Sequence, residues 1–175
     1  LIEEAEILFQ DALVIDPAGV GPYASALLKW GRPADVIALI DGGRDGCGTR
    51  RLRAQAKLDL GEHAQAVTAF QRAIAKCGRE DWALEAGLGH ARLSSGDSKG
   101  EALVARLLEQ REGAHQLRRV LVKYFIARGR PLDAAPHLIH LVDAGVATPQ
   151  EVSILPRAKL GLPVRLKNSP RKQAP

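Results

Sequence analysis

The sequence predicts an all-α protein, a right-handed α-solenoid of antiparallel helix hairpins, on three observations. Ala-x3-Phe-x2-Ala-(Ile/Leu) occurs twice, as Ala5, Phe9, Ala12 and Leu13 and again as Ala66, Phe70, Ala73 and Ile74. Gly31, Gly61, Gly96 and Gly129 each close an amphipathic stretch, at spacings of 30, 35 and 33 residues. Only 4% of the 175 residues are aromatic while 46% are hydrophobic, with Ala and Leu dominating. Small residues let neighbouring helices approach closely and the two Phe fill the space between them, so a chain poor in large side chains packs best as helix against helix.

Taken in order, the first helix is expected over 1–15, with Ala5, Phe9 and Ala12 on one face. The second, over 19–30, stops at Gly31, which supplies a left-handed residue after the helix. Arg32-Pro33-Ala34-Asp35 opens a third over 33–41, since proline in the first turn lacks only an N–H that is unpaired anyway. Gly42-Gly43 cuts that helix about a turn short and is expected to bend the array there. A fourth over 49–60 ends at Gly61, and Glu62-His63-Ala64-Gln65 opens a fifth over 63–76. In the fifth, Ala66, Val67, Phe70, Ala73 and Ile74 share one face, while Gln65, Gln71, Arg72 and Lys76 point away. Helices over 81–94 and 98–112 flank Gly96, and helices over 115–128 and 132–143 flank Gly129, with Pro136 expected to shift the start of the latter or kink it. The last, over 149–159, opens on Thr148-Pro149-Gln150-Glu151, the form of a capping box with proline at the first helical position. It has no following partner, so 148–160 is read as a capping helix that covers the last apolar face of a single domain over 1–160.

These units resemble the tetratricopeptide repeat (TPR) family, whose helix-turn-helix repeats run about 34 residues. In the unit over 47–80, Ala54 takes the small position of the first helix, Gly61 the turn, and Ala66, Phe70 and Ala73 the three positions of the second helix. The first stretch matches only a second helix. The units over 17–46, 82–113 and 115–145 are degenerate, with Val36, Ile40 and Gly43, then Glu101, Ala105 and Leu108, then Ala134, Leu138 and Leu141 in the corresponding positions. In all, the resemblance covers residues 1–145 and its style of composition looks bacterial.

Composition and motifs exclude several classes of chemistry. No phosphate loop, dinucleotide fingerprint, nucleophile elbow or HExxH pattern is present, so the sequence gives no catalytic residue, cofactor or metal ligand. Gly42-Gly-Arg-Asp-Gly-Cys-Gly48 lacks the preceding strand that a phosphate cradle needs and reads as an inter-repeat loop. His137 and His140 lie three apart on one helix, but without a recognisable carboxylate or cysteine partner they read as surface or packing residues. Cys47 precedes one helix of a hairpin and Cys77 ends the other, so the fold brings both to the same end. A disulfide in an oxidising compartment or two reduced thiols both fit, and the reduced pair is favoured. No stretch is apolar enough for a membrane span. The chain lacks methionine and begins inside a repeat, so it is expected to be a piece of something longer. Its localisation is read as cytoplasmic, or periplasmic or membrane-tethered if an upstream segment exists.

The formal net charge is +5, and much of the excess lies in a basic, proline-containing tail or linker over 161–175. Arg51, Arg53, Arg118 and Arg119 are by default solvated helix faces. Position in the repeat singles out some of them, because TPR arrays line their concave surface with the first helix of each unit. Aligned on the turn glycines, the resemblance implies a partner-binding groove that includes Arg51, Gln55, Leu58, His90, Leu93, Arg119, Lys123 and Ile126: cationic, with an apolar floor. The family's carboxylate clamp needs asparagines there, and the only asparagine is Asn168 in the tail. The function expected is therefore a non-enzymatic protein-interaction scaffold that holds a protein or peptide, acidic to match the groove. The alternative is the regulatory or scaffold portion of a larger enzyme or envelope or secretion assembly. Nucleic-acid binding rests on charge alone and lacks stacking aromatics in the groove. Oligomeric state leaves no trace in the sequence.

Overall fold

The computed structural model describes residues 4, 5, 7–9, 20–41, 46–78 and 81–166, and among them there are helices and no strand. The helices are α1 (Val20–Lys29), α2 (Pro33–Asp41), α3 (Cys47–Asp59), α4 (His63–Cys77), α5 (Trp82–Ser94), α6 (Lys99–Gln110), α7 (His115–Ala127), α8 (Pro131–Asp143) and α9 (Pro149–Lys159). Residues 4, 5 and 7–9 are helical as well. The boundaries match the sequence expectation to within two residues, and α8 starts at Pro131 and runs through Pro136, so that proline does not shift the start. The chain divides into two compact units, Leu1–Ala91 and Arg92–Pro175.

One turn recurs. At Gly61 (φ +78°) the Gly61 N–H donates to Leu58 O at 3.0 Å and the Glu62 N–H to Lys57 O at 2.9 Å. This pair of bonds satisfies the last carbonyls of α3 and needs a left-handed residue between them, which glycine adopts without penalty. The same pair closes α1 at Gly31, α5 at Gly96, α7 at Gly129, α8 at Gly145 and α9 at Gly161. The four glycines picked out by sequence are all of this type.

In the first unit, α1 packs on α2, α2 on α3 and α3 on α4. Tyr23, Ala24 and Leu27 of α1, Val36 and Ile40 of α2, and Leu52 and Ala56 of α3 form one buried cluster. Phe9 stacks on Tyr23 with ring centroids 5.2 Å apart. Ala66, Phe70 and Ala73 of α4 are buried as the repeat pattern expects; Ala12 and Gly43 lie outside the described residues. In the second unit α7 packs on α6 and α8, and α9 packs on α8. Ala134, Leu138 and Leu141 are fully buried.

Two expectations are corrected. In α6 the inward positions are Gly100, Val104 and Leu107. Of the expected Glu101, Ala105 and Leu108, only Leu108 is buried. The first turn of α6 is wound with i→i+3 bonds, Gly100 N–H to Asp97 O at 3.0 Å and Glu101 N–H to Ser98 O at 2.9 Å. That tighter winding brings the inward face round one residue early. It also seats Gly100 so close to Leu93 that a Cβ there would lie 2.8 Å from Leu93 Cγ. The second correction concerns the thiols: Cys47 and Cys77 form a disulfide, with Cα atoms 5.6 Å apart. The antiparallel α3–α4 hairpin brings the start of one helix beside the end of the other, within the separation a disulfide needs.

Candidate functional site

The eight expected groove residues fall in both units. In the first, Arg51 is exposed on α3, His90 is half-buried on α5, and the Gln55 amide donates to Asp59 Oδ1 at 2.8 Å. In the second, Lys123 is exposed on α7. Leu58, Leu93 and Ile126 are all buried. Each of the three stands three residues before a turn glycine and its carbonyl accepts that glycine's N–H at 3.0 Å. Their side chains turn inward at the closed end of the turn.

Arg119 is committed within its own unit. Its Nε donates to Glu151 Oε1 at 2.9 Å and its Nη2 to the Val146 carbonyl. Glu151 completes the capping box that the sequence announces: its N–H donates to Thr148 Oγ1 at 3.2 Å, and its Oε2 accepts from the Thr148 N–H at 2.7 Å. One carboxylate thus holds the start of α9 and pins it to α7. The ion pair is mostly enclosed, with side-chain exposures of 18% and 10%. Burial alone would raise the Glu151 pKa, but the Thr148 backbone and the Arg119 guanidinium outweigh it and hold the carboxyl below its ordinary value near 4.5. A carboxyl depressed in the fold stabilises it above the unfolded-state value and loses that contribution as pH falls through the lower folded value. Glu151→Gln is therefore expected to cost about 1–2 kcal/mol at neutral pH, with the gap to wild type closing in acid; urea titrations at several pH values measure it, and a pH-independent gap would contradict this role.

Arg118 also departs from the solvated-face expectation. It is only 9% exposed, with Nη2 donating to Glu112 O at 3.4 Å and Nη1 lying 3.4 Å from His137 Nδ1. Arginine only donates, so His137 accepts at Nδ1 and is neutral. Burial, together with the neighbouring guanidinium, holds its pKa down. His137 also stacks on Phe125, whereas His140 turns toward His115, with ring centroids 6.0 Å apart. The two histidines do not converge, and among the described residues no group of three or more His, Cys, Asp or Glu could hold a metal ion.

A cationic cleft of about 360 Å³ opens between α3 and α4. Arg50, Arg53 and Lys57 line it from α3, at the spacing of one helix face, and Gln65, Thr68 and Arg72 from α4. Gln65 and Arg72 are solvent-exposed, as the periodicity expects, but they look onto α3's cations rather than onto open solvent alone. The Arg53 Nη2 donates to Ile40 O at 3.2 Å and Asp41 Oδ1 at 3.3 Å, so it also caps the end of α2. Lys57 Nζ donates to Glu62 Oε2 at 3.2 Å and Gln65 Oε1 at 2.6 Å. The sequence carried a signal for this cleft in three cations at i, i+3 and i+7 around Ala54. Reading cations as solvated by default obscured it.

The chain matches no protein-family model, no curated protein and no solved structure. Among the described residues no helix is long and apolar enough to cross a membrane.

Proposed function

We propose that the chain is a protein-interaction module: a TPR-like right-handed α-solenoid of antiparallel hairpins that holds a segment of a partner protein and does no chemistry of its own. The observation that carries this reading is the recurrence of one glycine turn at six helix ends, which is how a stack of like hairpins is built. Such a stack offers a stiff surface that loses little conformational entropy on binding. Arg51 on α3 and Lys123 on α7, both exposed, are the contact residues kept from the groove expectation. Arg119 serves its own fold. The Cys47–Cys77 bond supports an oxidising compartment over the cytoplasm, where thiols are kept reduced.

The test is a capture experiment from cell extract with the wild-type chain, the double variant Arg51→Glu/Lys123→Glu, and the charge-matched control Lys29→Glu/Lys159→Glu. Circular dichroism melts should be alike for all three, because exposed charges contribute little to folding. The reading expects a partner that the first variant loses and the control keeps, with capture falling as salt rises. Equal loss in both variants would replace specific contact with nonspecific electrostatics.

A further inference from the structure

We infer that the α3–α4 cleft seats an acidic peptide segment of a partner, an inference that rests on the interaction reading above and adds a second, internal contact site to it. Among the described residues four cations line the cleft, and no acidic residue does. Asp41 pairs with Arg53 and Glu62 with Lys57. No hydrogen bond or ion pair among the described residues involves Arg72, which stands exposed on the opposite wall. The Arg53 and Lys57 side chains are 29% and 23% exposed, so they are partly withdrawn from water, which strengthens their attraction for an incoming anion. Guanidinium forks bind carboxylates with two parallel hydrogen bonds. Thr68 and Gln65 on the facing wall add a hydroxyl and an amide of the kind that pair with peptide backbone, and Ala69 leaves room between them.

The walls are fixed before any ligand arrives. The Gly61 turn closes the hairpin at one end and the Cys47–Cys77 bond at the other. A cleft held at both ends spends little of its binding energy on ordering itself. The same two closures favour a short peptide over nucleic acid. A nucleic-acid strand is bound along a continuing track of phosphates with aromatic rings to stack its bases, and no ring among the described residues lines this cleft.

The experiment uses the whole oxidised chain and fluorescein-labelled peptides of equal length: one rich in Asp and Glu, one neutral, one rich in Lys, with a single-stranded oligonucleotide alongside. Binding is read by fluorescence anisotropy at low and physiological salt. The acidic peptide is expected to bind, and Arg72→Glu to weaken it by about tenfold or more. Lys76→Glu, one turn along the same helix but outside the cleft lining, changes the net charge equally without removing a hydrogen-bonding partner of the peptide, and is expected to weaken binding clearly less than Arg72→Glu. Arg72 is exposed, so the variant folds as wild type in a melt. Equal weakening by the two substitutions, or preference for the oligonucleotide with the same Arg72 dependence, overturns the inference. Binding of only the neutral or basic peptide also overturns it while leaving the interaction reading standing. Failure of every peptide to bind overturns the inference and leaves the interaction reading to the capture experiment.

Discussion

Phe70→Ala is expected to lower the unfolding free energy by about 3–5 kcal/mol, measured by urea titration followed in the far ultraviolet. The ring is 1% exposed, lies on α4 between the fully buried Ala66 and Ala73, and rests on Gly87 of α5. A Cβ at Gly87 would fall 2.3 Å from Phe70 Cε1 and 2.4 Å from Cζ, so the ring occupies the space an alanine methyl would need. Truncation therefore leaves a void with no side chain opposite to fill it. The reverse test follows from the same contact. In an exposed helix Gly→Ala gains about 1 kcal/mol of propensity, but here overpacking against a buried ring costs about 1–3 kcal/mol, so Gly87→Ala is expected to destabilise on balance. Adding Phe70→Leu to Gly87→Ala should recover part of that loss, and the coupling in a double-mutant cycle isolates this one contact. A loss below about 1 kcal/mol for Phe70→Ala would show that the ring does not hold α4 to α5.

Phe70 was legible in the sequence because its spacing from Ala66 and Ala73 describes a local helical face, and local periodicity survives without knowledge of neighbours. The turn glycines were legible for a similar reason: a left-handed residue after a helix has few substitutes. Legibility fails where the outcome depends on what a second element brings. Arg119 and Lys123 share a helix face by spacing, yet one meets Glu151 of α9 and the other meets solvent. Nothing local to 115–127 tells them apart, although Thr148-x-x-Glu151 announced a carboxylate held rigidly enough to receive an arginine. In α6 a change of winding in the first turn moved the inward face by one residue, and counting from Gly96 assumed an α-turn from the outset. The α3–α4 cleft needed both difficulties resolved at once: which face of α3 the cations take, and which residues of α4 stand across from it.

Removing the disulfide by Cys47→Ser/Cys77→Ser is expected to cost about 3–4 kcal/mol, on the chain-entropy account of closing a loop between cysteines 30 residues apart. The bond joins the first residue of α3 to the last of α4, so it constrains the unfolded chain over the whole hairpin and, in the fold, holds the end opposite the Gly61 turn. A domain of this kind has only about 5–15 kcal/mol of total stability, which makes the loss large enough to read in urea or as a lowered melting temperature. Reduction of the wild-type chain should move its transition to that of the double variant and leave the variant where it was. The cleft sharpens the expectation. Arg50 lies about one turn after Cys47, and Arg72 little more than one turn before Cys77, so these two cations stand on opposite walls at the disulfide end, and Lys57 and Gln65 at the turn end. Freed of the bond, the walls can separate where the arginines face each other. Affinity for an acidic peptide should then fall on reduction at temperatures where helicity is unchanged. Lost stability with unchanged peptide affinity would confine the disulfide to a structural role, and unchanged stability would mean that helix packing alone closes the hairpin.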